Sequence, residues 1–390
     1  MSIVQSFPDA ASFVVSFCDI CLAGAFVGCI LMLCEAGFVL AFRGQDSRAK
    51  GAQPAVTVLK PLHGAEPGLA ARLAAFCRQN YGAPVQVLCG ADSGAPATPV
   101  VRAVQRELPG APIELHADPR QHGSNRKVSN LINMLPRARH DTLVLSDSDI
   151  VVGPDYLHRL AALLNAPGVG AVTCLYHGIS SDSVWSRLSA LAVNTHFLPQ
   201  AMIGLGLKVT KPCFGATIAL RRSTLDRIGG FAAFADELAD DYAMGAAVRA
   251  AGYEVATAPF LVGHRCLEAS LRQLLRHQLR VARTIKNIDP IGYAGTVLTH
   301  PLPLALVGML SGSTAAVLVA VAALASRVTL CRCVERRFGL ARESVALIAL
   351  QDVIAFGVYV ASFFGATVYW RGAAYHVAAD GTLVEDDLRR

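Results

Sequence analysis

Hydrophobic positions along this chain follow two patterns: long unbroken apolar stretches at both ends, and shorter periodic segments between them. Ala11 to Phe42, Tyr293 to Ser326 and Val345 to Trp370 are of the first kind. The first stretch is interrupted only by Asp19 and Glu35 and exceeds the roughly 20 residues that cross a bilayer. No Lys or Arg precedes it and no small-residue cleavage site follows, so residues 11–42 read as a retained membrane anchor. Arg43, Arg48 and Lys50 come next and place the following domain in the cytoplasm by the positive-inside rule. The second stretch carries Pro301 and Pro303 and Gly–Ser breaks at Gly308 and Ser311 to Ser313, compatible with one tilted span or a hairpin of two. Arg327, Arg332, Arg336, Arg337 and Arg342 favour the hairpin, which returns an Arg-rich connection to the cytoplasm. The last segment is then re-entrant or ends outside. The C-terminal membrane segments span 293–370, with a tail over 371–390.

Between 53 and 289 the pattern becomes that of a globular domain. Val56 to Leu59, Val85 to Cys89, Ile113 to Leu115 and Leu143 to Leu145 are short apolar runs that read as strands. Helical periods lie between them, at Leu69 to Arg78, Thr98 to Glu107 and Val128 to Leu135. This alternation predicts an α/β fold, a mostly parallel sheet with helices on both faces. Leucine spacing from Leu271 to Lys286 predicts an amphipathic helix near the membrane, with Arg276, Arg280 and Arg283 on one face.

Composition agrees with a membrane protein: 53% of the 390 residues are hydrophobic and 16% charged. The net charge of +6 comes with Arg clusters that flank apolar stretches, which suits anionic lipid headgroups and not nucleic acid. The eleven cysteines form no paired zinc spacing. Neither GxGxxG nor GxxxxGK[ST] occurs, which argues against dinucleotide and P-loop chemistry.

The candidate chemistry centres on Ser146-Asp147-Ser148-Asp149, after the fourth strand. On an extended backbone Asp147 and Asp149 point to one face and can converge beyond the strand end. Two hard oxygen donors there suit a divalent cation that also holds phosphates. Asp92, after the second strand, is placed to accept hydrogen bonds from a base or ribose. Lys127 opens a helix after a glycine turn, where free N–H groups also favour anions. Asp240 and Asp241 precede a further helix and read either as an N-cap with a dipole complement or, more sharply, with Asp241 as a general base of raised pKa and Asp240 as its tuning neighbour. Arg280 can meet diphosphate oxygens in a fork.

Taken in order, Lys60 with Gly64, Asp92, Asn125 with Lys127 and Asn130, Asp147 with Asp149, Asp240-Asp241-Tyr242 with Met244, and His277 with Arg280 form one motif set. Together with the membrane segments, this set resembles ceramide glucosyltransferases, and more closely their bacterial relatives, the hopanoid biosynthesis-associated glycosyltransferases. The likeness covers nearly the whole chain, to the ending Tyr369-Trp370-Arg371-Gly372 and Tyr375. It implies a GT-A fold and inverting transfer of N-acetylglucosamine or glucose from a UDP-sugar to a membrane lipid. The lipid is a hopanoid polyol such as bacteriohopanetetrol or, alternatively, ceramide. It also implies Mg²⁺ or Mn²⁺ at Asp147 and Asp149, nucleotide binding by Lys60, Asp92, Lys127, Asp147, Asp240, His277 and Arg280, catalysis by Asp241, and an acceptor-side His196. The implied location is the bacterial inner membrane, with the catalytic domain cytoplasmic. Val281 stands where the family motif has Trp, which removes a large stacking surface. The competing readings are a processive or polyprenyl-phosphate glycosyltransferase and a catalytically degenerate nucleotide- or lipid-binding scaffold.

Overall fold

The computed structural model describes residues 10–42, 53–92 and 94–365, and 367–370, 373–377 and 382–385 of the C-terminal segment. Arg43, Arg48, Lys50, Arg371 and Gly372 lie outside the described residues. The chain divides into two units. An α/β unit comprises Arg43–Ala190, Lys208–Arg276 and Ala366–Arg390; a helical unit comprises Met1–Phe42, Leu191–Leu207 and His277–Gly365.

The α/β unit is built on an eight-stranded sheet. Its strands are β1 Val56–Pro61, β2 Val85–Ala91, β3 Ile113–Ala117, β4 Thr142–Leu145, β5 Ile150–Val151, β6 Val169–Ile179, β7 Ile218–Arg221 and β8 Glu254–Arg265, in the order β3-β2-β1-β4-β7-β6-β8-β5. The first four pair in parallel, with Leu59 opposite both Leu88 and Leu145. Neighbouring residues of each strand enter opposite cores. Val58, Val87 and Val144 pack with Phe76, Val101 and Leu160 on one face, and Leu59, Leu88, Leu143 and Leu145 with Val128, Leu131 and Met134 on the other. Burial on both faces is why these strands read as continuous apolar runs.

The sheet is mixed, not mostly parallel throughout. β7 runs antiparallel between β4 and β6, β5 runs antiparallel to β8, and β6 and β8 pair in parallel with two register shifts. β6 and β8 escape a reading of periodicity because bulges interrupt their alternation and Pro259 lies inside β8. The helix Arg126–Met134 begins two residues before its apolar pattern. Asn125 caps it, its side chain accepting from the N–H groups of Lys127 at 2.9 Å and Val128 at 3.1 Å.

Among the described residues of the helical unit, Val14–Ala41, Thr314–Phe338 and Val345–Ser362 are long and apolar enough to cross a membrane. A broken pair, Pro290–Thr299 and Pro301–Ser311, is bent by 65°. The second apolar stretch therefore splits into two arms. Gly312 turns the chain at φ 70°, and the Ser313 hydroxyl caps the next helix. Arg327, Arg332, Arg336 and Arg337 lie on the helix Thr314–Phe338 and not in a connection; only Arg342 does.

The last apolar helix ends at Ser362, short of Trp370. Gly365 turns at φ 84°, and Thr367–Trp370 forms a three-stranded antiparallel sheet with Ala373–Val377 and Leu383–Glu385. A run of Thr, Val, Tyr and Trp is β-forming as well as apolar, which hides this boundary from hydropathy. The boundary expected at Asp289 falls inside the amphipathic helix Leu271–Ile288, because Leu279 and Ala282 pack with Tyr293 and Val358.

Candidate active site

Parallel pairing of β1 with β4 sets the ends of both strands side by side. Lys60, fully buried near the end of β1, donates to Ser146 Oγ at 3.3 Å and to the Asp147 carbonyl, and lies over the Phe76 ring. Burial pushes its amine down to about 8, against the opposing pull of Asp147 and Asp149. Lys60 thus grips the backbone of the acidic loop from below. A second clamp holds the loop's middle: Arg72 donates to the Ser148 carbonyl at 2.8 Å, and Ser148 Oγ donates to Glu66 at 2.7 Å. Glu66 and Arg72 are themselves paired at 3.0 Å.

The acidic loop does not continue as extended chain. It turns at Ser148–Asp149, with the Ile150 N–H reaching the Asp147 carbonyl at 3.3 Å. The two carboxylates consequently meet different partners. Asp147 pairs with Lys127 Nζ at 3.0 Å, whereas Asp149 pairs with His264 Nε2 at 3.2 Å. Register places His264 there, because Ile150 of β5 lies opposite His264 of β8. Burial alone would raise Asp149, but His264, with Lys60 and Arg72, holds it well below the usual carboxylate range. Burial would lower His264, and Asp149 instead drives it well above the usual imidazole range.

Lys127 joins this loop to the second acidic pair, with Asp240 Oδ2 at 3.3 Å. Its burial disfavours the charge, yet Asp147, Asp240 and Asp241 outweigh that and raise its pKa. Asn125 Nδ2 also donates to Asp240, at 3.3 Å. The helix Asp240–Ala250 has Ala239 at its N-cap and no side-chain cap, so the two acids are not a capping device. Asp241 accepts from the N–H of Gly215 at 2.7 Å and from that of Tyr242 at 2.8 Å. Burial, then the neighbouring Asp240, push its carboxyl up to about 6, against Lys127 and the two N–H groups. A Cβ at Gly215 would stand 2.9 Å from Asp241 Oδ2, which explains the glycine.

This network of four cationic groups, Lys60, Arg72, Lys127 and His264, and the carboxylates between them can bind a metal-complexed diphosphate and offers one carboxylate poised to take a proton. The model for glycosyl transferase family 21 matches residues 20–383. The chain belongs to glycosyl transferase family 21.

Family membership makes it a sugar-transferring enzyme. Ceramide glucosyltransferase 1 of Caenorhabditis elegans is 24% identical over 52% of the chain, a stretch that spans 44% of that relative's length. An N-acetylglucosaminyltransferase of Sinorhizobium fredii is 23% identical over 77% of this chain and 80% of its own. Among solved structures, a mannosyltransferase from Pyrobaculum calidifontis in complex with GDP-Man and Mn²⁺ aligns with a TM-score of 0.53 at 20% identity, over 90% of this chain and 99% of its own. The GT-A type of α/β fold is therefore the one observed, together with apolar helices near both ends.

Within this family member the structure brings Lys60, Lys127, Asp147, Asp149, Asp240 and Asp241 into one network. Asp92 stands exposed where β2 ends. His277 and Arg280 lie on Leu271–Ile288, on the helical unit's side of the boundary, and His196 lies in a buried cluster of that unit. Sequence reasoning missed Glu66, Arg72 and His264. Arg72 had a signal, a lone cation in the otherwise Ala-Leu helix Leu69–Cys77. His264 had none, since only the pairing of β5 with β8 joins it to Asp149.

Proposed function

We propose that this enzyme transfers a sugar from a UDP-sugar to the hydroxyl of a membrane lipid, with inversion at the anomeric carbon. N-acetylglucosamine is the donor sugar and a hopanoid polyol such as bacteriohopanetetrol the acceptor. The observation that carries this reading is the pairing of Lys127 with both Asp147 and Asp240 beside an Asp241 carboxyl raised to about 6. Asp241 takes the acceptor hydroxyl's proton, and the oxygen attacks the anomeric carbon opposite the departing UDP. One displacement inverts: an α-linked donor gives a β-linked product. Lys127 faces the charge that grows on the diphosphate. Arg280 and His277 also serve the diphosphate, and Asp92 the nucleoside, as in the family motif.

Asp147 and Asp149 would hold Mg²⁺ or Mn²⁺. The fit is supported by two hard oxygen donors at the sheet edge and by Asp149 Oδ1, which is buried with no hydrogen-bond partner. Such an ion supplies charge neutralisation of the diphosphate. His264 would orient Asp149 for it. The enzyme would sit in a bacterial cell membrane with its α/β unit in the cytoplasm.

A second reading, glucosylceramide synthesis, is favoured by the match to ceramide glucosyltransferases. One assay separates the two. Membranes carrying wild type or Asp241→Asn are given Mg²⁺, radiolabelled UDP-N-acetylglucosamine or UDP-glucose, and bacteriohopanetetrol or ceramide. Organic-phase label with wild type and bacteriohopanetetrol alone is the expected result. Label with ceramide instead moves the acceptor; no label with any pair, despite bound UDP-sugar, overturns the transferase reading in favour of a scaffold.

A further inference from the structure

The helical unit breaks its backbone at two places that meet one buried polar cluster. Val193–Phe197 is a π-helical turn ahead of the helix Leu198–Gly206, and the broken apolar pair bends by 65° around His300. π turns concentrate at functional sites, and irregular backbone at membrane depth persists only where protein satisfies its polar groups. Arg327, fully buried on Thr314–Phe338, does this for both breaks. It donates to the Thr195 carbonyl at 2.8 Å and the Thr299 carbonyl at 2.5 Å, and pairs with Asp352 Oδ1 at 2.7 Å. The result gathers His196, His300 and Asp352. His196 Nε2 lies 3.4 Å from Asp352 Oδ1, and the two imidazole rings are 5.4 Å apart.

Arg327 does not satisfy the cluster. His300 is 6% exposed and Asp352 1%, yet His300 Nδ1 and Asp352 Oδ2 have no hydrogen-bond partner, and His196 Nε2 makes no hydrogen bond either. One ligand atom from each of the three residues lies within 4.8 Å of those of the other two. A neutral imidazole carries its proton on either nitrogen, and with His300 Nδ1 and His196 Nε2 unprotonated both offer lone pairs that, together with Asp352 Oδ2, one cation satisfies at once. Glu35 is also buried with Oε2 unpartnered and feels the Arg327 charge.

We propose that His196, His300 and Asp352 bind a divalent transition-metal ion of the Zn²⁺ class within the helical unit. Two imidazole nitrogens and one carboxylate oxygen are a borderline donor set, suited to Zn²⁺ and poor for Mg²⁺. Bonds of about 2.0–2.2 Å require the donors to draw in to roughly 3.4 Å of one another. The His300 ring packs at a tilt against Phe356 and Tyr359. The bound ion pins the π turn, the bend and the helix Val345–Ser362 together. It is separate from the carboxylate site of the α/β unit and goes beyond glycosyl transfer.

The test uses the full-length chain, purified in detergent, stripped with chelator and dialysed against micromolar Zn²⁺ with millimolar Mg²⁺ to fill the carboxylate site. Elemental analysis should find about one Zn²⁺ per chain in wild type and in Asp149→Asn, and a loss of at least tenfold in His300→Ala and Asp352→Asn. Should those variants misfold, Co²⁺ replaces Zn²⁺ in wild type and His300→Gln, and the intense visible bands of a low-coordinate, nitrogen-ligated Co²⁺ should appear in wild type alone. Zn²⁺ retained equally by His300→Ala, or lost only with Asp149→Asn, overturns the proposal. So does a His196→Ala variant that raises the KM for lipid while keeping its Zn²⁺.

Discussion

Asp241 sits between opposed influences. Burial and Asp240 disfavour its charge, while Lys127 and two backbone N–H groups support it, leaving the carboxyl at about 6. A base works deprotonated, so turnover should be full above neutral pH and fall as pH drops through 6, about tenfold per unit below it. Lys127→Gln removes a positive charge that lowers this pKa, so the acid limb of its residual activity should move to higher pH. A limb that stays in place would show that another group is the base. Asp241→Asn should reduce kcat by on the order of 10²–10⁴ while donor KM changes little, because the residue acts on the acceptor's proton and not on UDP. Parallel loss of donor binding and turnover would sink that role.

Secondary structure elements position what single residues cannot. His264 reaches Asp149 only through the register of β5 on β8, so its contribution is orientation. His264→Ala should weaken Mn²⁺ affinity by roughly 10–100-fold, read from the Mn²⁺ dependence of UDP-sugar binding, with unchanged affinity counting against it. The packing of Arg126–Met134 on β2 leaves no room at Gly90, where a Cβ would meet Asn130 Oδ1 at 2.2 Å and Met134 Sδ at 2.3 Å. Gly90→Ala should cost about 1–3 kcal/mol of stability, seen as a lowered Tm. The first four strands, their helices and the acids at their ends were legible because each is a short local pattern: apolar run, turn, carboxylate. β6 and β8 were not, since bulges and Pro259 break their period. The clamp on the acidic loop was equally hidden, because Glu66 and Arg72, just before and within the helix Leu69–Cys77, and His264 on β8 reach it from parts of the chain far from it in sequence. The turn at Ser148–Asp149 defeated the assumption that alternate residues share a face.

At the scale of the whole molecule, chain sidedness limits which apolar helices can cross a membrane. The helix Ala10–Ala41 leads at Phe42 directly into the α/β unit. Arg337 donates to the Phe42 carbonyl at 3.0 Å, and the Phe42 and Phe338 rings lie 6.0 Å apart, so Thr314–Phe338 ends on that same side. With the broken pair Pro290–Ser311 as one span and Thr314–Phe338 as its return, a hairpin is predicted between Arg276 and Phe338. The segment after Ser362 returns to the α/β unit, where Thr382 bridges to Glu237. The chain leaves the α/β unit at Arg276 and rejoins it at Ala366, which requires an even number of crossings between them; with the broken pair and Thr314–Phe338 supplying two, Val345–Ser362 is expected not to cross. Its 18 residues rise roughly 27 Å, enough by length, which is why hydropathy counts it as a span. Green fluorescent protein fused after Arg390, or inserted at 340–344, should fluoresce in a bacterial host, whereas alkaline phosphatase inserted at Gly312 should be active. Active phosphatase at 340–344 would mean that Val345–Ser362 crosses after all, and that the α/β unit does not hold the C-terminal strands.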